Sequence, residues 1–175
     1  YYAQKTHTRG KGVELANIET PLVVEEIHSE YLRAGAQAIK TNTFAANRIV
    51  YQGDGALVER ILRAGWKIAA RAAEPFGAYV FADIGPVTGL PHADILAEYR
   101  FLADVFLAAG ARHFLFETNS SAEGLVETAA HIKRACPAAF VLTSFSAFPG
   151  GYTRDGYFVE ELVHAVTSRG DVDAV

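Results

Sequence analysis

The sequence contains no methionine and only one cysteine, Cys136, among its 175 residues. A single cysteine excludes an internal disulfide framework, and we predict that Cys136 is a small core residue rather than a metal ligand or a nucleophile. The chain also lacks both a signal-peptide pattern and the ~20 consecutive apolar residues of a membrane span. No membrane association is therefore expected, and a cytoplasmic location is the default expectation.

Basic residues are too few and too scattered to form a nucleic-acid-binding stripe. Lysine and arginine together number 16 against 20 acidic residues, which gives a formal net charge of −4. Proteins that bind nucleic acids concentrate positive charge on one face, so no nucleic-acid partner is expected.

The chain begins with Tyr1-Tyr2 rather than with methionine, and we expect the folded protein to contain more chain than these residues.

Apolar runs of strand length recur along the chain, and helical patterns separate them. The strands are predicted at 37–43, 78–84, 112–117, 139–145 and 172–175. The helices are predicted at 20–35, 57–73, 94–110, 120–136 and 158–168. This βαβ repeat requires crossover connections between parallel neighbouring strands. The strands are almost continuously apolar, as is typical of parallel sheets that are covered on both faces.

Local signals mark the starts of two of these helices. Thr20 and Pro21 are typical of an N-cap and of the first helical position. Ser120 and Glu123 have the spacing of a capping box, in which each side chain satisfies a backbone N–H group of the other residue. Residues 1–20 are polar and irregular, and they are predicted to form a loop or the remnant of a longer element.

Two architectures of the α/β class fit this repeat, namely an open doubly wound sheet and a (β/α)8 barrel. No G-x-G-x-x-G motif follows any predicted strand, which argues against an open sheet that binds a dinucleotide. A complete barrel needs about 250 residues. The chain is therefore expected to hold about five βα units of an incomplete TIM barrel, as one domain spanning 1–175.

Glu117 is the most informative polar residue of the sequence. Barrels of this class bind ligands at the carboxyl ends of their strands. Glu117 directly follows the apolar run 114–116, so it lies at the carboxyl end of a predicted strand. A buried carboxylate needs a partner, because an isolated charge is costly in an apolar setting. A ligand ammonium would serve, and so would a nearby arginine or the start of the following helix. We favour the ligand.

Other polar side chains stand at the ends of the first two strands. Thr41, Asn42 and Thr43 either hydrogen-bond a small polar ligand or satisfy the backbone of their own loop. Asp83 either lines the same pocket or pairs with Lys40 on the neighbouring strand. The sequence has no serine nucleophile elbow, P-loop or HExxH motif, so no complete catalytic constellation is visible in it.

Four sequence blocks resemble the homocysteine S-methyltransferase family. They are EEIHSEYLRAGA at 25–36, IKTNTF at 39–44, IGP at 84–86 and LFET at 115–118. They occur in the order of the family and at about its spacing, and the resemblance extends over about 15–175. It implies a (β/α)8 barrel that transfers a methyl group to the sulfur of homocysteine to give methionine. It also implies that Glu117 helps to hold the homocysteine amino group and that the loop at 41–43 lines the same pocket.

The resemblance further implies a metal and a methyl donor. Family members hold a zinc ion with three cysteines, and the zinc-bound thiolate of homocysteine is the nucleophile. No residue of this sequence matches those cysteines, which are expected beyond Val175, so Zn2+ is expected in the full-length protein and no metal site is expected here. Methylcobalamin with methyltetrahydrofolate, in another module, is one expected donor. Betaine, S-methylmethionine and S-adenosylmethionine also serve the family. Lys40 departs from the family, because many relatives carry a glutamate or another polar residue there.

Two other interpretations stay open. The chain could belong to a non-catalytic or degenerate amino-acid-binding barrel that has lost its metal. It could also belong to an unrelated TIM-barrel lyase that acts on a phosphorylated substrate. Cysteines beyond Val175 would favour the methyltransferase, whereas phosphate-binding glycine loops after later strands would favour the lyase.

Overall fold

The computed structural model describes residues 12–175, and its central feature is a sheet of parallel strands. The strands are β1 (Ala38–Lys40), β2 (Tyr79–Ile84), β3 (His113–Asn119) and β4 (Phe140–Phe145). They pair in chain order, and every pair is parallel. Past the last helix, Ala174 forms an isolated parallel bridge with Leu142 of β4. This order is the one that consecutive βα units produce.

Helices accompany every strand of the described region. They are α1 (Ala16–Glu19), α2 (Pro21–Arg33), α3 (Gly55–Ala73), α4 (His92–Ala108), α5 (Leu125–Ala135) and α6 (Val159–Thr167). Short 3-10 turns cover Val13–Leu15 and Glu74–Phe76. Each of α3, α4 and α5 returns the chain from the end of one strand to the start of the next, which is why the strands run in the same direction. None of the described helices combines the length and the apolar character needed to cross a bilayer.

The two faces of the sheet differ in their cover. On one face Ala82, Phe114 and Val141 are fully buried. They pack in the largest hydrophobic cluster together with side chains of α3, α4 and α5. On the other face Tyr79 is 60% exposed and Phe140 is 36% exposed. In a closed barrel this inner face is filled by side chains from all eight strands, so its exposure is what an incomplete barrel predicts.

Aromatic side chains form a layer on the exposed face, near the amino ends of the strands. We call Tyr79, Phe81, His113 and Phe140 the aromatic layer. The ring centroids of Tyr79 and His113 lie 5.1 Å apart, and those of Phe81 and Phe140 lie 6.2 Å apart. Both pairs have the edge-to-face geometry that aromatic quadrupoles prefer. Partial burial among these rings lowers the pKa of His113, which favours its neutral form.

Most of the predicted elements are confirmed, with differences at their ends. Helix α2 begins at Pro21 with Thr20 as its N-cap residue, as predicted. Strand β1 is shorter than predicted, because it ends at Lys40. The strand predicted at 172–175 contributes only the bridge at Ala174. The loop predicted at 1–20 is wrong over 13–19, which is helical, and 1–11 lie outside the described residues.

The predicted capping box is wrong. Helix α5 begins at Leu125 rather than near Ser120, and its N-cap residue is Gly124 with φ 74°. A Cβ at Gly124 would lie 3.1 Å from the Tyr99 ring, so both the left-handed backbone and the space favour glycine there. The Glu123 N–H donates instead to the hydroxyl of Ser121 at 3.4 Å.

Candidate functional site

Three charged side chains from neighbouring strands meet at the carboxyl ends of β1, β2 and β3. The Nζ of Lys40 lies 3.2 Å from Oδ2 of Asp83 and donates a hydrogen bond to Oε2 of Glu117. The strand register explains this contact. Lys40 pairs with Phe81, and Asp83 lies two residues after Phe81. Asp83 in turn pairs with Leu115, and Glu117 lies two residues after Leu115. Because side chains two residues apart on a strand point to the same face, all three charged side chains share one face of the sheet. We call Lys40, Asp83 and Glu117 the strand-end cluster.

The strand-end cluster holds one cation and two carboxylates at different depths. Asp83 is 1% exposed, whereas the side chains of Glu117 and Lys40 are 25% and 47% exposed. Burial raises the pKa of Asp83 to about 7, although the charge of Lys40 opposes the shift and that of Glu117 adds to it. Burial acts to lower the pKa of Lys40, but the hydrogen bond to Glu117 and the charges of both acids outweigh it and raise that pKa. Lys40 is therefore charged at neutral pH.

One oxygen of Asp83 lacks a partner among the described residues. Oδ2 faces Lys40, whereas Oδ1 is buried and accepts no hydrogen bond from residues 12–175. A buried acceptor without a partner is unfavourable, and nearly all such groups in folded proteins are satisfied. A hydrogen-bond donor that arrives from outside these residues, such as a ligand or a water molecule, would relieve this cost.

Replacing Asp83 with asparagine is expected to change how stability depends on pH. Because the folded-state pKa of about 7 exceeds the unfolded value of ~3.9, the protonated acid contributes stability that is complete below the unfolded pKa. That contribution is lost as the pH rises through the folded pKa. The free energy of unfolding of the wild type should therefore fall, relative to that of Asp83→Asn, between pH ~4 and ~7.

Urea unfolding of both proteins across this pH range measures the difference. The comparison cancels the opposite contribution of His28, whose pKa burial lowers to about 4 and which is present in both proteins. A difference between the two proteins that stays constant with pH would contradict the raised pKa of Asp83.

The hydroxyl groups of Thr41 and Thr43 form hydrogen bonds with the backbone of Asp83. Thr43 donates to the Asp83 oxygen at 2.7 Å, and the Thr41 hydroxyl accepts from the Asp83 nitrogen at 3.0 Å. The two hydroxyl oxygens lie 2.6 Å apart, and since Thr43 gives its hydrogen to Asp83, Thr41 is the donor between them. Both threonines are buried. They clamp the end of β1 to β2, and their contact with a ligand stays a prediction.

Asn42 faces the amino-terminal helices instead of the strand-end cluster. Its Nδ2 donates to the Val13 oxygen at 2.9 Å and to Oδ1 of Asn17 at 3.1 Å, and Asn17 returns a bond to the Asn42 oxygen at 2.8 Å. Beside it, a groove of about 600 Å³ runs along the edge of β1 that pairs with no other described strand. The groove is lined mainly by apolar residues of α2 and β1. Lys40 lines this groove, but Asp83 and Glu117 do not, so the two carboxylates of the strand-end cluster lie outside it.

A smaller cavity of about 370 Å³ opens at the carboxyl ends of β2, β3 and β4. Its lining residues are Phe44, Pro86, Thr88, Thr118, Ser120, Ser146, Ala147, Phe148 and Arg154. Phe44 connects this cavity to the strand-end cluster, because the Nζ of Lys40 lies 5.9 Å from the centroid of the Phe44 ring. A ligand held by the cluster would therefore lie next to this cavity.

The end of β3 has an irregular backbone that fixes the neighbourhood of Glu117. The register between β3 and β4 shifts just before Asn119, and Thr118 has φ 53°. Ser144 accepts a hydrogen bond from the Thr118 nitrogen at 2.9 Å, and the Tyr99 hydroxyl donates to Asn119 at 3.1 Å. A positive φ is unusual for a β-branched residue, and such distortions concentrate at functional sites.

The described residues do not fit the three-cysteine zinc site that the family resemblance implies. Within 12–175 no three histidine, cysteine, aspartate or glutamate side chains are grouped so that they could hold a metal ion. Cys136 is 5% exposed at the end of α5, and its Sγ accepts a hydrogen bond from Arg112 at 2.7 Å. Arg112 directly precedes β3, so this cysteine lies at the opposite end of the strands from Glu117.

The parallel strand order and the crossover helices are those of an incomplete (β/α)8 barrel. Two solved structures of the homocysteine methyltransferase MmuM from Escherichia coli each match 97% of the chain. The TM-score is 0.76 for the apo form, at 24% identity, and 0.78 for the metallated form, at 21% identity. At these identities the likeness shows the fold alone. The chain covers 66% and 68% of those two chains.

The chain belongs to the homocysteine S-methyltransferase family, whose sequence profile matches residues 4–175. It is 37% identical over 119 residues to the methionine synthase of Mycobacterium tuberculosis and 34% identical over 120 residues to that of Mycobacterium leprae. Each match covers 60% of this chain, and the chain spans about 10% of the length of each relative. The resemblance seen in the four sequence blocks is thereby confirmed.

Glu117 and Asp83 are predicted as site residues from the sequence, whereas Lys40 is considered there only as a partner of Asp83, and its contact with Glu117 is not predicted. An arginine, a helix start or a ligand are the candidates that the sequence offers for the partner of Glu117, whereas the structure shows Lys40 in that role. For Asp83 the sequence leaves two alternatives, and the structure shows the pairing with Lys40. Ligand binding by Glu117 and Asp83 stays a prediction.

Proposed function

We propose that the protein containing this chain transfers a methyl group to the sulfur of homocysteine and releases methionine. The observation that carries the proposal is the strand-end cluster, in which one lysine faces two carboxylates and Glu117 is partly exposed. When both acids are ionised, the group carries one excess negative charge, which attracts an ammonium, and homocysteine carries an ammonium as an amino acid. Membership of the homocysteine S-methyltransferase family and the likeness to methionine synthases support the same function.

In this proposal Glu117 accepts a hydrogen bond from the homocysteine ammonium. Lys40 engages Oε2 of Glu117, which leaves Oε1 for the ligand. Hydrogen bonds between two charged groups are about twice as strong as neutral ones. Asp83 adds negative charge behind Glu117. Thr41 and Thr43 hold Asp83 in place through hydrogen bonds to its backbone. These residues bind and orient the substrate, and none of them forms or breaks a covalent bond.

The metal, the methyl donor and the setting are proposed for the complete protein. Since the described residues offer no metal cluster, we assign the zinc ligands to cysteines beyond Val175. We propose methylcobalamin with methyltetrahydrofolate, carried by another module, as one donor to be tested against the others that the family uses. We also place the protein in the cytoplasm, with homocysteine and the donor as its partners.

A methyl-transfer assay on the complete, zinc-loaded protein tests the proposal. Homocysteine is combined in separate reactions with methylcobalamin and methyltetrahydrofolate, betaine, S-methylmethionine or S-adenosylmethionine, and methionine is measured by mass spectrometry. Methionine is expected with at least one donor and only when homocysteine is present. Isothermal titration with homocysteine is run in parallel. Binding without turnover on any donor would favour a non-catalytic amino-acid-binding barrel, and absence of binding would overturn the proposal.

A further inference from the structure

We propose that Lys40 is a positioning residue that fixes the Glu117 carboxylate so that it can receive the ammonium of an amino-acid ligand. The inference rests on the proposed function, because it concerns the same site. Lys40 itself is not required to touch the ligand.

The geometry makes Lys40 the link between the two acids. Its Nζ lies 3.2 Å from Asp83 Oδ2 and donates to Glu117 Oε2, so one ammonium from β1 bridges two acidic side chains, one on β2 and one on β3. Among residues 12–175, Lys40 is the one cation in salt-bridge contact with Asp83 and with Glu117. The Phe44 ring, whose centroid lies 5.9 Å away, adds a weak cation–π attraction that restrains the same ammonium.

The first effect of this bridge is to hold Glu117 in one conformation. A glutamate side chain that is 25% exposed has room to adopt several rotamers, and a ligand that binds it must first restrict them. Because Lys40 occupies Oε2, Oε1 is presented in a fixed direction. The Glu117 side chain therefore loses less conformational entropy when the ligand binds.

The second effect is on charge. When both acids are ionised, Lys40 neutralises one of them, and the remaining negative charge matches one ligand ammonium. Without Lys40, two carboxyl groups would face each other in a partly buried setting, where like charges disfavour joint ionisation. They would then share a proton, which would draw Glu117 toward Asp83 and away from the ligand. Loss of Lys40 should therefore weaken binding even though it removes a positive charge from the site.

The test compares substitutions of Lys40 with a matched control in the complete, zinc-loaded protein. Lys40→Met keeps the length of the side chain and removes the charge, whereas Lys40→Arg keeps the charge. Lys67→Met makes the same chemical change at an exposed position of α3. The homocysteine Kd is measured by isothermal titration, and KM and kcat are measured at saturating donor.

Lys40→Met is expected to raise the Kd and KM of homocysteine about 10-fold, the value of one weakened charged hydrogen bond, with a much smaller change in kcat. Lys40→Arg should restore both constants to within about 3-fold of the wild type, since a guanidinium can also bridge two carboxylates. Lys67→Met should match the wild type. A role that is only structural would not separate KM from kcat in this way.

The inference would be overturned if Lys40→Met bound homocysteine as tightly as the wild type or more tightly. Lys40 would then have no effect on ligand binding or would compete with the ligand for Glu117. If Lys40→Met does not fold, as judged by circular dichroism, Lys40→Gln is measured against the same criterion. A wild type that binds no homocysteine overturns the proposed function together with this inference. A wild type that binds homocysteine, beside a Lys40→Met variant of equal affinity, overturns this inference alone.

Discussion

Replacing Glu117 with alanine in the complete protein is expected to raise the homocysteine KM by about 10- to 100-fold, which is the effect of losing a charged hydrogen bond of ~1.5–3 kcal/mol. Glu117 supplies the partly exposed carboxylate of the strand-end cluster. Without it, Lys40 and Asp83 would form a neutral pair at 3.2 Å, and the site would no longer attract an ammonium. Steady-state kinetics with varied homocysteine and saturating donor measure the effect, and kcat should change much less.

Two further variants show whether the change in homocysteine KM is specific to the carboxylate of Glu117. Glu117→Gln keeps the shape of the side chain and one acceptor oxygen, so its KM should lie between those of the wild type and the alanine variant. Glu160→Ala removes an exposed glutamate from the first turn of α6 and should leave KM unchanged. A Glu117→Ala variant with the KM of the wild type would remove Glu117 from the homocysteine pocket.

A second large effect is expected at Gly85, where the space is too small for a side chain. A Cβ at Gly85 would lie 2.3 Å from the backbone oxygen of Phe44. The N–H of Gly85 donates to that same oxygen at 3.0 Å, and this bond joins the end of β2 to the loop after β1. Gly85→Ala should push the two backbones apart and lower the free energy of unfolding by about 1–3 kcal/mol. It should also weaken homocysteine binding, because Asp83 lies two residues away.

Urea unfolding measures the stability effect, and Gly150→Ala is the matched control. No described atom lies within 4 Å of a Cβ built at Gly150, so its free energy of unfolding should stay within about 0.5 kcal/mol of the wild type. If Gly85→Ala were as stable as Gly150→Ala, the close approach of the Gly85 and Phe44 backbones would be contradicted.

The apolar runs predict β2, β3 and β4 to within a few residues, because strands covered by helices are almost continuously apolar. Strand β1 is harder to delimit. Its pattern continues into Thr41 and Thr43, whose β-branched side chains suit a strand, whereas the structure uses their hydroxyls to bond β2. The predicted start of α5 is wrong for a local reason, since the capping-box spacing competes with a glycine at 124 that takes the N-cap position.

The sequence predicts Asp83 and Glu117 as site residues and offers Lys40 as one partner of Asp83, but it does not determine how the three side chains pair. The rule that barrel sites lie at the carboxyl ends of strands places Lys40, Asp83 and Glu117 at one edge of the sheet. Their contacts depend on the stagger between strands, and Lys40 and Glu117 are 77 positions apart. No short-range pattern encodes that stagger. The assignment of 1–175 to a single domain likewise stays a prediction.

The aromatic layer has a practical consequence for work on this part of the chain. The rings of Tyr79 and Phe140 are exposed, and one edge of β1 pairs with no other described strand. Surfaces of this kind make protein chains adhere to one another. A preparation limited to these residues would therefore be poorly soluble, and its handling would obscure any measurement of ligand affinity. In a closed barrel the other strands would cover the same rings, which would then form a dry layer beneath the strand-end cluster.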